Sequence, residues 1–158
     1  YKHFMLKEIS EQAETVMSTL RGRVSFDPTG IDLEDFPLSA EMIRDISKVV
    51  FIGMGTSFNA AMVGRLWMES LAQIPAEADN SSEFRYRDLV LDDRTLVVSV
   101  CQSGETADTL AAMEEAARRG ARQITICNIE GSQATRLAPG AVYIRAGPEG
   151  RPGSPDAS

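Results

Sequence analysis

Apolar residues recur along this chain with two periods, and the alternation between them outlines its elements. From Leu6, the positions Ile9, Ala13, Val16 or Met17, and Leu20 keep helical spacing and stop before Gly22, predicting an amphipathic helix with a glycine cap. Residues 25–39 hold Asp27-Pro28-Thr29-Gly30 and Phe36-Pro37, turn chemistry that reads as a surface connection, and residues 40–46 predict a short helix. Val49-Val50-Phe51-Ile52 then predicts a buried strand, leading through Gly53-Met54-Gly55-Thr56-Ser57 into a helix-like stretch over 58–71. Leu96-Val97-Val98-Ser99-Val100 repeats that design. It runs into Cys101-Gln102-Ser103-Gly104-Glu105-Thr106, after which Thr106, Leu110, Met113 and Ala117 return at helical spacing and predict a helix over 107–119.

Gln123-Ile124-Thr125-Ile126-Cys127 is another strand, residues 132–137 a short helix, and Val142-Tyr143-Ile144 a closing strand. By composition Ala76-Glu77-Ala78-Asp79 is only a weak edge strand. Counting it, strands alternate with helical segments five times, which argues for a parallel sheet covered on both faces. Ligands bind such sheets beyond the C-terminal ends of the strands, where both glycine-hydroxyl loops fall. Met62, Leu66, Trp67 and Leu71 read as packing for the sheet or for an oligomer interface.

Composition narrows the class. A chain of 158 residues with 43% hydrophobic and 25% charged positions makes one domain of ordinary size, and no apolar run reaches the about 20 residues of a membrane span. No secretory signal pattern is visible, and the start Tyr1-Lys2-His3, without an initiator methionine, suggests a chain cut from something longer or processed. The net charge of −7 argues against nucleic acid. Arg118, Arg119 and Arg122 fall at a helix end, where cations suit the dipole and face solvent. Two cysteines, Cys101 and Cys127, make neither a disulfide framework nor a metal pattern, so a reducing, cytoplasmic setting is expected.

The chemistry concentrates in 101–106. A loop at a helix N-terminus offers free N–H groups and a partial positive charge, which suits phosphate. Ser103 and Thr106 add hydroxyls, Gln102 an amide, and Gly104 removes the Cβ that would keep a ligand from the backbone. The plainer reading makes Ser103 an N-cap and Gly104 a turn residue, with Glu105 and Asp108 complementing the dipole. Thr56 and Ser57 divide likewise between ligand contact and capping. Gly53-Met54-Gly55 resembles the start of a dinucleotide fingerprint, but Phe58 stands where the third glycine belongs. A thiol at a helix N-terminus can be activated, yet the only histidine is His3 and no base for Cys101 is in view.

Ser103-Gly104-Glu105-Thr106 with Gln102, continuing as QSGETADTL through Leu110, resembles the phosphosugar loop of the sugar isomerase (SIS) domain. The form is that of the isomerase half of the glutamine–fructose-6-phosphate aminotransferases, or glucosamine-6-phosphate synthases. Residues 1–12, Gly55-Thr56-Ser57 and Ser82-Glu83-Phe84-Arg85-Tyr86-Arg87 are similar to further signatures, so the likeness covers about residues 1–149. It implies an α/β fold: a three-layer αβα sandwich with a five-stranded parallel sheet, flavodoxin-like, in which 76–79 is the second strand, followed by a short helix containing Glu83 to Arg87. It also implies an N-terminal helix at 1–24, a single phosphosugar-binding domain at 25–146 and a disordered tail at 147–158.

The resemblance further implies a hexose 6-phosphate ligand. Cys101, Gln102, Ser103, Gly104 and Thr106 would hold phosphate, and Gly55, Thr56 and Ser57 would face the sugar. Cys101 replaces the family's serine, trading a strong hydroxyl donor for a weak thiol. Glu83 would position sugar or loop groups, or pair with Arg87 four residues on. No catalytic residue, metal or cofactor is implied, because the family's glutamate, histidine and lysine lie in segments outside these 158 residues. The implied partners are a second copy in a homodimer, a glutaminase domain and a second SIS repeat; nucleic acid and membrane are not among them. The alternatives are a stand-alone regulatory phosphosugar module without catalysis, and a degenerate module serving only dimerisation.

Overall fold

The computed structural model describes residues 3–33 and 36–146. It separates into two compact units, Asp35–Tyr143 and the remainder. In the smaller unit, helix α1 (Phe4–Leu20) is followed by strands β1 (Val24–Phe26) and β2 (Thr29–Ile31), an antiparallel hairpin around Asp27-Pro28. The sequence reads that stretch as connection alone. Strands of three residues with Phe26 and Ile31 both exposed leave no alternation to detect. The expected tail at 147–158 lies outside the described residues.

The larger unit runs α2 (Ala40–Asp45), β3 (Lys48–Gly53), α3 (Thr56–Trp67), β4 (Ala76–Asn80), α4 (Ser81–Phe84), β5 (Thr95–Val100), α5 (Ala107–Arg118), β6 (Arg122–Cys127), α6 (Gln133–Leu137) and β7 (Ala141–Tyr143). Its five strands are all parallel in the order β4-β3-β5-β6-β7, the flavodoxin-like arrangement. The chain starts at β3, steps out to β4, returns to the other side of β3 as β5 and continues outward. Its direction of travel therefore reverses between β3 and β5.

Burial explains why the strand runs are continuous. Val50, Ile52 and Val97 pack with Phe84, Ala112, Met113 and Ala116 on one face, while Val49, Phe51, Leu96 and Val98 pack with Leu38, Ile46 and Ala61 on the other. Two cores on one sheet give three layers. Each fully buried side chain, such as Ile52, contributes about 1.5–3 kcal/mol. The edge strand β4 needs no such run, and its polar residues find partners: Lys48 pairs with Glu77 at 3.0 Å and Arg87 with Asp79.

Several readings are narrowed. Of the two places open to Met62, Leu66, Trp67 and Leu71, the sheet or an oligomer interface, the sheet is not the one: Trp67 is 63% and Leu71 80% exposed. Within α3 the fully buried residue is Ala61, with Phe58 partly buried against the same core, while Leu66 and Trp67 face away from it, and a π-helical turn follows at Met68–Ala72. The short helix after β4 begins earlier than expected, because the Asn80 side chain accepts the Ser82 N–H at 3.1 Å and caps it there. Arg87, beyond its end, pairs with Asp79 and not with Glu83. Among the described residues, no helix is long and apolar enough to cross a membrane.

Candidate functional site

β3 and β5 are neighbours in register, Ile52 opposite Ser99, so the loops that follow them leave the sheet side by side at its C-terminal edge. That edge, at the reversal of strand order, is where open α/β sheets hold ligands. In the first loop a Cβ on Gly53 would lie 2.9 Å from the Ser57 backbone carbon, so glycine allows α3 to start close against the strand end. The N-cap position falls on Gly55, which has no side chain to cap with. α3 has no side-chain capping bond, so neither Thr56 nor Ser57 serves as its cap.

The second loop is built more tightly. Cys101 donates its N–H to the Ile126 carbonyl at 2.9 Å, which continues the sheet for one residue. Gly104 sits at φ +68°, and a Cβ there would stand 2.2 Å from Ser132 Oγ and 2.6 Å from Ser132 Cβ. The N-cap of α5 is Thr106, not Ser103, and its hydroxyl makes no capping bond. Ser103 Oγ instead accepts the Glu105 N–H at 3.3 Å. Gln102 and Ser103 are half-buried and Thr106 is exposed, which leaves their polar ends within reach of a ligand at the start of α5.

The acidic residues near this helix are used elsewhere. Asp108 forms an ion pair with Arg85 at 3.1 Å, tying the chain after α4 to the first turn of α5. Glu105 accepts the Gln133 backbone N–H at 2.8 Å and its side-chain Nε2 at 2.7 Å. Neither link is visible in the sequence, because the partners stand 23 and 28 residues apart without a shared period. Arg85 does lie in the stretch 82–87 that the sequence singles out, but its partner is set by the fold.

The Cys101 side chain points into the core. Its Sγ lies 3.6 Å from Thr125 Oγ1 and 3.6 Å from the Ile126 carbonyl oxygen, inside the core, and burial pushes its thiol up to about 12. A neutral buried thiol is not a nucleophile, so that reading of Cys101 is set aside. Its backbone still lines the loop. The arginine cluster is likewise spent on internal partners. Arg118 and Arg119 pair with Glu115, Arg119 donates to the Leu89 carbonyl at 2.6 Å, and Arg122 reaches Asp45 at 2.9 Å. Arg119, and after it Arg118, hold the Glu115 carboxyl below its ordinary range. Among the described residues no group of three or more His, Cys, Asp or Glu is placed to hold a metal, and His3 is exposed in the smaller unit.

The SIS domain family model matches residues 42–154. A glutamine–fructose-6-phosphate aminotransferase (isomerizing) of Caldanaerobacter subterraneus subsp. tengcongensis is 45% identical over 149 residues, 94% of this chain. The chain spans about a quarter of that relative's length, 24%. Among solved structures, the C-terminal domain of glucosamine-fructose-6-phosphate aminotransferase from Francisella tularensis superposes with a TM-score of 0.83 at 38% identity, over 94% of this chain and 41% of that one. A protein of Silicibacter pomeroyi DSS-3, described as a putative phosphosugar isomerase, has a TM-score of 0.73 at 27% identity over 92% of this chain and 43% of its own.

Proposed function

The chain belongs to the SIS domain family, and from that premise we propose that it binds a hexose 6-phosphate, fructose 6-phosphate or glucosamine 6-phosphate. It would do so as the phosphosugar-binding part of an isomerase half like that of its aminotransferase relatives. The observation that carries this reading is the pairing of β3 with β5, which sets two hydroxyl-bearing loops beside one another at the strand ends. Phosphate is assigned to 101–106: the first amides and dipole of α5, the side chains of Gln102, Ser103 and Thr106, the backbone of Cys101, and Gly104. Sugar hydroxyls are assigned to Gly55, Thr56 and Ser57. Local dipoles then hold an anion on a chain whose net charge is −7.

The phosphosugar domain is taken as residues 25–146, in a cytoplasmic protein. No catalytic residue is assigned: aldose–ketose exchange needs a base positioned at the sugar's C1 or C2. In the whole enzyme that base, a glutaminase domain and a second SIS repeat are the partners this reading calls for. A homodimer is supported by the exposed apolar face of α3, with Met62, Leu66 and Trp67; a monomeric mass in sedimentation would remove it. The test of the binding reading is a calorimetric titration with fructose 6-phosphate, with unphosphorylated fructose and inorganic phosphate as controls. Saturable binding that requires both sugar and phosphate is expected, and no heat at millimolar ligand would refute the assignment.

A further inference from the structure

An acidic residue inside an anion-binding loop calls for an explanation, and Glu105 lies between Gly104 and Thr106 of the phosphate loop. We infer that Glu105 is a positioning residue: its carboxylate clamps the loop onto the start of α6, so that removing its charge weakens phosphosugar binding instead of strengthening it. The inference rests on the phosphosugar reading above.

Both carboxylate oxygens are committed to one residue, Oε1 to the Gln133 N–H at 2.8 Å and Oε2 to Gln133 Nε2 at 2.7 Å. Ser132, at the N-cap of α6, makes no side-chain capping bond to that helix, so Glu105 supplies the acceptor its first amide lacks. Two further bonds fasten the same loop to the same segment: Asn128 N–H to the Gln102 carbonyl at 3.3 Å and Ala134 N–H to the Gly104 carbonyl at 3.0 Å. Ser103 is suspended between those two fixed carbonyls, and its Oγ is oriented by the Glu105 N–H. The clamp therefore fixes the peptide planes on either side of a phosphate-binding hydroxyl.

Two effects of the charge oppose one another. An exposed carboxylate repels a nearby phosphate, but solvent and salt screen that repulsion, and the two donors on Gln133 face the charge directly. Charge-assisted hydrogen bonds are the stronger kind, and a loop released from them must be ordered again when ligand binds. The clamp outweighs the repulsion, which fixes the sign of the prediction.

The test compares the wild-type chain with Glu105→Gln, Glu105→Ala, Gln133→Ala and the Glu105→Ala/Gln133→Ala double variant. Fructose 6-phosphate and inorganic phosphate are titrated calorimetrically, and amide hydrogen exchange is followed in the same samples. Glu105→Ala is expected to bind about tenfold more weakly, and Glu105→Gln, which keeps one acceptor, by a smaller factor in the same direction. The double variant should be no weaker than Glu105→Ala, because the Gln133 side chain has already lost its partner. Exchange at the Gln133 amide should accelerate in Glu105→Ala while β5 amides stay protected. Glu105→Gln binding as tightly as wild type, or more tightly, would overturn the inference. A wild-type chain with no affinity would instead overturn the phosphosugar reading, and the clamp would then be refuted by unchanged Gln133 exchange in Glu105→Ala.

Discussion

At the scale of single residues, the proposed binding rests on two side chains, and a third is placed in the core. Ser103 and Thr106 present hydroxyls at the start of α5, and neither hydroxyl makes a capping bond to that helix. Replacing both with alanine is expected to weaken fructose 6-phosphate binding by about 1–3 kcal/mol, the scale of losing hydrogen bonds to a charged group; unchanged affinity would take the loop out of the site. Cys101 makes a different prediction. Its thiol, pushed up to about 12 from an ordinary 9.0, stays protonated in the folded chain. The unfolded thiol ionises first, so the stability this group contributes is present below about pH 9 and lost as pH climbs toward 12. Labelling by a thiol reagent in mildly alkaline buffer should be slow until denaturant is added, and fast labelling of native protein would contradict the buried placement. The position of the loop was legible in the sequence, because an apolar run followed by a helical stripe brackets it, but its hydroxyls and glycine fit capping and turn-making as well as ligand contact. The direction of the Cys101 side chain was not legible, since it depends on β6 lying beside β5.

At the scale of elements, periodicity identified the strands that are buried on both faces and was uneven on the rest: it found the half-buried β7, read β4 as a weak edge strand and missed β1 and β2. β3 and β5 read as continuous apolar runs because helices cover each side of them. β4 was weak for the opposite reason: an edge strand tolerates Glu77 and Asp79, which pair with Lys48 and Arg87. For the large apolar residues of α3 the spacing left the sheet and an oligomer interface both open, because it could not show that Ala61 takes the buried side. The loop that joins β5 to α5 depends on Gly104, which combines a left-handed backbone with contact against Ser132. Gly104→Ala meets both obstacles, and the strain of the backbone alone is about 1–2 kcal/mol. Lowered thermal stability together with loss of phosphosugar binding is expected. A variant with wild-type melting and wild-type affinity would show that the loop is looser than described.

At the scale of the whole molecule, the sequence carried the alternation of strand and helix, and the strand order follows from it with little freedom. Parallel strands with right-handed crossovers and a covered sheet leave few arrangements, and the one found reverses direction between β3 and β5. What the alternation could not provide is the network that stiffens the site: Arg85 to Asp108 and Glu105 to Gln133 join segments that meet only in the folded chain. The central claim is that one crevice at the reversal uses both loops. The most direct test is to follow backbone amide shifts during titration with fructose 6-phosphate. The account predicts that the largest changes fall together on 54–57 and 102–106, saturating with one affinity. Changes gathered instead around the ≈430 Å³ cavity lined by Glu41, Met42, Arg44, Asp45 and Arg122, with both loops silent, would contradict it.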